Sequence, residues 1–168
     1  DALPIYLISQ VDGLVGWDQE VMMPPKAAGL RAEQLSWISR TGHEMITDSR
    51  IGELLSDLES RDDLDEIQAG NLRLAREGYD KATKLPTEFV GELAKHQSKS
   101  QVSWTEARAA DDFSIFRDDL AKMIDMCRQK ADYLGYEDLR YDALLDLARE
   151  RWLERKQSLQ QRAVTDRI

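Results

Sequence analysis

An all-α fold, an antiparallel multi-helix bundle of about six or seven helices, is what this 168-residue sequence predicts, and three observations predict it. Apolar residues recur at intervals of three and four along most of the chain, the period of an amphipathic helix. No stretch alternates with period two for long and β-branched residues are sparse, so strands have little pattern to grow from. The residues that interrupt helices, among them Pro24, Pro25, Pro86 and Gly135, fall where the apolar stripes stop or restart.

The elements follow in order. A first helix runs from Pro4 to about Met22: proline suits a first turn, and Pro24-Pro25 cannot continue one. A second spans about Ala27 to Ile46, with Leu30, Gln34, Leu35, Ile38 and Met45 near one stripe. Thr47-Asp48 caps a short third helix carrying Ile51, Leu54, Leu55 and Leu58. The fourth runs from about Asp63 to Thr83 on Leu64, Ile67, Leu72, Ala75, Tyr79 and Ala82. Leu85-Pro86 starts a fifth, with Phe89, Val90, Leu93, Gln97, Ser100, Trp104 and Ala107 along one side. "DDFSIF" opens a sixth, which turns Phe116, Leu120, Met123, Ile124, Cys127, Ala131 and Leu134 inward and stops at Gly135. A last segment starts near Tyr141 and carries Leu145, Ala148, Trp152, Lys156, Leu159 and Ala163. There is no repeat, low-complexity stretch or flexible linker, so no domain boundary is expected before Asp146.

Composition narrows the function. Asp plus Glu outnumber Lys plus Arg by 32 to 23, a net charge of −9. That balance argues against nucleic acid, whose phosphates need a positive footprint, and against an anionic membrane surface. No apolar run approaches the roughly 20 residues of a membrane span, and "DALPIYLIS" has no basic stretch before its apolar run, so it does not read as a secretory signal. Cys127 is the single cysteine, which suits a reducing, cytoplasmic setting. Its helical spacing from Leu120, Met123 and Ile124 makes it a small buried hydrophobe rather than a thiol nucleophile.

Chemistry-bearing motifs are few. No GxxxxGK[ST], GxGxxG or GxSxG pattern occurs. "HEMIT", His43 to Thr47, begins like the zinc-peptidase helix His-Glu-x-x-His, in which two imidazoles one turn apart hold the ion and the glutamate activates water. Its fifth position is Thr47, a poor zinc ligand, and nothing in the sequence places His96 beside His43. Both histidines are therefore expected at the surface or half-buried. Asp62-Asp63, Asp111-Asp112 and Asp118-Asp119 read as helix-start charges or solvated faces. No catalytic, metal or cofactor-binding residue is assigned.

"GWDQEVMMPP", Gly16 to Pro25, stands apart. Asp18 and Glu20 sit at a helix end, where carboxylates meet the unfavourable pole of the dipole and need a basic partner such as Arg31 or Arg73. Trp17 and the methionines are expected to pack. Trp17, Asp18, Glu20 and Arg31 are thus candidate structural contacts rather than catalytic groups.

Three stretches carry a resemblance. "LVGWDQEVMMPPKAAGLRAEQLSWIS" (Leu14 to Ser39) is similar to the N-terminal signature of the carboxypeptidase Taq family of metallocarboxypeptidases. "NLRLAREGYDKATKLPTEFVGELA" (Asn71 to Ala94) resembles the family's next block. "WTEARAADDFSIFRDDLAKMIDMCRQKADYLGYEDLRYDALLD" (Trp104 to Asp146) resembles a third, in the same order and spacing. The resemblance covers most of residues 11–146. It implies a helical, zinc-dependent, homodimeric enzyme that removes residues from peptide C-termini, with a deep groove between a helical N-terminal region and a catalytic half. The family's His-Glu-x-x-His helix and its further glutamate ligand lie beyond the matched region, so zinc is expected only of the full-length enzyme.

Residues 1–146 therefore read as a helical domain resembling that N-terminal region, and 147–168 as a divergent basic helix or tail with six basic and three acidic residues. The family's usual Glu-x-Glu-Pro-Gly type continuation is replaced there, as a frameshift, a rearrangement or an evolved short protein would produce. The first expectation is a non-catalytic helical module or truncated relative of the enzyme. The second is the groove-forming part of a carboxypeptidase whose catalytic half is missing or supplied in trans. The third is a homo-oligomerisation domain, with an exposed apolar stripe as its contact. Partners are then a second copy or another protein or peptide.

Overall fold

The computed structural model describes residues 3–145. The all-α expectation holds: α1 (Leu3–Val21), a 3₁₀ turn (Pro25–Ala27), α2 (Ala28–Ile46), α3 (Ser49–Glu59), α4 (Glu66–Thr83), α5 (Thr87–Ala110) and α6 (Ser114–Leu134) follow one another with short connections. No strand occurs among the described residues, and helical backbone resumes at 140–145. The expected tail helix, with Ala148, Trp152, Lys156, Leu159 and Ala163, lies outside the described residues.

Local chemistry sets the boundaries. α1 ends where the amides of Met22 and Met23 both fold back onto the Asp18 carbonyl at 2.9 Å, ahead of Pro24. Asp48 caps α3 by accepting from the Arg50 amide at 2.9 Å. Asp65 starts α4 with a reciprocal capping box: the Gln68 amide donates to Asp65 at 2.7 Å, and the Asp65 amide donates to Gln68 Oε1 at 3.0 Å. That box moves the start from the expected Asp63 to Glu66. α5 closes on Asp111 in the left-handed region (φ 50°), with the Asp112 amide bonded to the Ala107 carbonyl.

The described residues form two compact units that divide between Ile124 and Asp125, within α6. In the first, α2 is the hub. It packs against α1, α4 and α5, and α3 lies against α4. Small side chains dominate what α2 and α5 bury: Ala32, Ser36 and His43 of α2 and Gly91, Ser98 and Ser100 of α5. A Cβ at Gly91 would come within 2.5 Å of Arg40 Cγ and 3.1 Å of Ser36 Oγ, so the helices approach as closely as a glycine permits. In the second unit, Met126 and Ala131 are buried, Gly135 ends α6 at φ 83°, and Arg140 pairs with Asp132 at 2.8 Å.

Several inward assignments are overturned. Leu30 of α2 is 65% exposed and Ile67 of α4 76%; Trp104 of α5 and Ile124 of α6 are exposed as well. Cys127 is half-buried and Met126, one position before it, is the buried residue. The reason is common to all of these: each helix has more apolar positions than it has neighbours. The face that meets a neighbour is chosen by how closely backbones can approach, which favours Ala, Ser and Gly. α1 shows this plainly. It buries no residue fully, and Tyr6, Leu7, Val11, Leu14, Trp17 and Val21 are all exposed. No helix among the described residues is long and apolar enough to cross a membrane.

Candidate functional site

The distinctive Gly16–Pro25 stretch lies at the C-terminal end of α1, against α2 and α5. Arg31, in the first turn of α2, reaches back to it. Its Nη2 donates to Asp18 Oδ2, Nη1 donates to the Val15 carbonyl at 2.7 Å, and Nε donates to Gln34 Oε1 at 3.0 Å. Only 13% of the Arg31 side chain is exposed, and 38% of Asp18. A guanidinium at this pole of α1 meets both the carboxylate and the negative end of the helix dipole, so one side chain offsets both.

Trp17 does not pack. It is 57% exposed, and Met22 is 68% exposed, which corrects the expectation for both. Trp17 sits on the outer face of α1 and Gln19 on the inner one. Gln19 carries a contact that its neighbours in sequence do not announce: Ser98 Oγ donates to Gln19 Oε1 at 2.7 Å, and Gln19 Nε2 reaches the Ser98 carbonyl at 3.5 Å. Ser98 is buried, so this pair fixes α1 onto α5 across 79 positions of sequence. A serine or glycine recurring on one side of α5 (Gly91, Ser98) was the available signal for a close helix contact.

Beside this pair, Asp12, Gly16, Gln19 and Glu20 of α1 face Leu35 of α2 and Gln97, Ser98 and Gln101 of α5 across an open groove of about 340 Å³. Burial pushes the Asp12 carboxyl up from the ordinary carboxylate range. The groove offers amides and two carboxylates but no nucleophile with a base beside it. No group of His, Cys, Asp and Glu among the described residues is arranged to hold a metal ion.

Both histidines serve the frame instead, and both are buried, which corrects the expectation of surface or half-buried positions. His43 Nε2 lies 3.0 Å from the Ala82 carbonyl and Nδ1 2.9 Å from Thr87 Oγ1. A carbonyl only accepts, so Nε2 carries a proton and donates it to Ala82, while Nδ1 shares a hydrogen bond with the Thr87 hydroxyl. His43 thereby ties α2 to the α4–α5 turn. His96 Nε2 donates to the Asp119 carbonyl at 2.9 Å, joining α5 to α6, with Ser100 Oγ at 3.3 Å. The zinc implied by the family resemblance does not fit these residues: His43 has both nitrogens engaged, and His96 faces another helix pair.

The chain matches the carboxypeptidase Taq (M32) metallopeptidase family over residues 3–155. It is 34% identical to thermostable carboxypeptidase 1 of Pyrococcus furiosus over 146 residues, covering 87% of this chain and 29% of that protein. It is 34% identical to thermostable carboxypeptidase 1 of Thermus thermophilus over 153 residues, covering 83% of this chain and 30% of that one. The crystal structure of BsuCP superimposes with a TM-score of 0.81 at 32% identity, over 86% of this chain and 29% of BsuCP. The chain thus spans less than a third of the length of the relatives it matches.

Proposed function

Because the chain belongs to the carboxypeptidase Taq (M32) metallopeptidase family, we propose that it is the non-catalytic, helical scaffold portion of such an enzyme, with no metal chemistry of its own. One observation carries this reading. The only two imidazoles in the sequence are spent on structure, His43 between α2 and the α4–α5 turn and His96 between α5 and α6. A peptidase zinc needs at least two free imidazole or carboxylate ligands converging on one point and an open position for water. Withdrawing either histidine for that purpose would break a hydrogen bond that ties one helix to another, His43 to Ala82 and Thr87 or His96 to Asp119.

The test is zinc stoichiometry and release of C-terminal residues from a model peptide, both measured on the purified chain. The expected result is neither stoichiometric zinc nor release; zinc bound one-to-one with activity that a chelator removes would overturn the reading.

A second reading keeps the scaffold but gives it a catalytic complement in trans, contributing one wall of the substrate groove. The preserved frame, TM-score 0.81 against BsuCP, favours it. Mixing this chain with the remaining portion of a relative should then restore peptide release that neither piece shows alone.

A further inference from the structure

The end of α5 repeats the problem met at the end of α1 and leaves it unanswered. Asp18 stands at the negative pole of α1, and Arg31 supplies its cation. Asp111 stands at the negative pole of α5, in the left-handed region at φ 50°. Its carboxylate has no hydrogen-bond or ion-pair partner among the described residues. The last carbonyls of α5 add to the same negative end. Asp112 beside it is spent on the start of α6, where it accepts from the Ser114 amide at 2.8 Å.

Aromatic rings line the space next to Asp111. Trp104, Phe113 and Phe116 share with it an open hollow of about 580 Å³. Phe113 and Phe116 meet edge to face, with centroids 6.5 Å apart and planes at 81°, so the two rings stand as walls nearly at right angles. One cation already uses this lining: the guanidinium carbon of Arg108 lies 5.9 Å from the centroid of the Trp104 ring. Arg108 is exposed and makes no ion pair or hydrogen bond among the described residues, so the ring alone holds it there.

We propose that this hollow binds a small organic cation of the quaternary ammonium class, with Arg108 as its resident competitor. Three features select that class. Aromatic faces attract positive charge but offer no strong hydrogen-bond acceptor, which favours charge spread over methyl groups above a tightly hydrated ammonium. Asp111 supplies one unpaired carboxylate as counter-charge, far short of the six or so oxygens that a divalent metal ion takes. The hollow falls within the roughly 300–1,000 Å³ of small-molecule sites. Asp111, Asp112 and the negative pole of α5 together oppose an anion. Arg108, exposed and held by one ring, leaves at little cost when a better-fitting cation arrives.

This site does not depend on the scaffold reading, because its readout is ligand binding rather than zinc or peptide release. The test is an NMR titration of the isotope-labelled 168-residue chain with tetramethylammonium chloride at constant ionic strength. It is read at the Trp104 indole N–H, which Trp104→Phe identifies. A saturable shift is expected there, and none with sodium chloride or with tert-butanol, an uncharged molecule of similar shape. Asp111→Asn keeps a residue that tolerates the left-handed backbone and should weaken binding about threefold. Arg108→Gln should tighten it by about the same factor, since it removes the competitor. Trp104→Leu, followed at the Phe113 ring, should weaken it by roughly tenfold. No saturable shift, an equal response to tert-butanol, an affinity indifferent to Asp111→Asn, or an Arg108→Gln variant that binds no more tightly would overturn the proposal.

Discussion

α1 and the α2–α5 seam treat their side chains in opposite ways. α1 holds leucines, valines, a tyrosine and a tryptophan and buries none of them fully. α2 and α5 bury Ala32, Ser36, Gly91, Ser98, Ser100 and two histidines. Hydrophobicity alone ranks these regions the wrong way round. Large side chains need space that a close helix crossing does not leave, so the tightest contact selects small residues and satisfies the polar ones by hydrogen bonding.

The comparison breaks most readily at Gly91. Gly91→Leu should lower unfolding free energy by about 3 kcal/mol in urea titration, since a side chain there drives into Arg40 and Ser36. An unchanged midpoint would mean that α2 and α5 are not held at this distance. His43→Ala should cost about 2 kcal/mol, because it removes the buried ring together with its hydrogen bonds to the Ala82 carbonyl and to Thr87 Oγ1. A loss confined to the surface range, under about 0.5 kcal/mol, would count against a structural role for the ring.

Arg31→Ala sharpens the contrast at the junction of the two regions. It removes the cation from Asp18 and from the last turn of α1, and about 1 kcal/mol is expected, reduced by salt because Asp18 is partly solvated. Leu14→Ser, on the open face of α1, should leave the unfolding free energy within about 0.5 kcal/mol in the same titration.

The smallest effect is electrostatic. Hydrogen bonds from the Arg50 side chain and amide hold the Asp48 carboxyl down at about 2. A depressed carboxylate contributes its stability above the unfolded value of 3.8 and loses it as the pH falls toward 2. A carboxyl-detected NMR titration should therefore show Asp48 protonating between those values, below the exposed carboxylates, with Arg50→Ala moving it up toward 3.8. A titration point that ignores Arg50→Ala would show that the Arg50 side chain does not hold the carboxylate.

How much was legible follows from the range of each interaction. The Asp48 cap, the Pro24 stop after α1 and the left-handed Gly135 act within a few residues, so the sequence announces them in place. The need of Asp18 for a cation is also local, being a property of the helix end it occupies, and Arg31 lies only 13 positions away. The Gln19–Ser98 pair spans 79 positions and has no local signature. The outward turn of Trp17 was equally hidden, because period and polarity do not distinguish two apolar sides of one helix.

The sequence by itself determined that the chain is helical, where most helices begin and end, and to which family it belongs. Those properties rest on backbone hydrogen bonding, capping and proline geometry, and on family motifs in register. Only the tertiary structure decided which side of each helix is covered. That choice depends on how many neighbours a helix has and how closely they approach, and for α1 it left the larger apolar face open. The same step turned two histidines with the first half of a zinc motif into buried hydrogen-bonding struts, because Thr87, Ala82 and Asp119 reach them only when the helices pack.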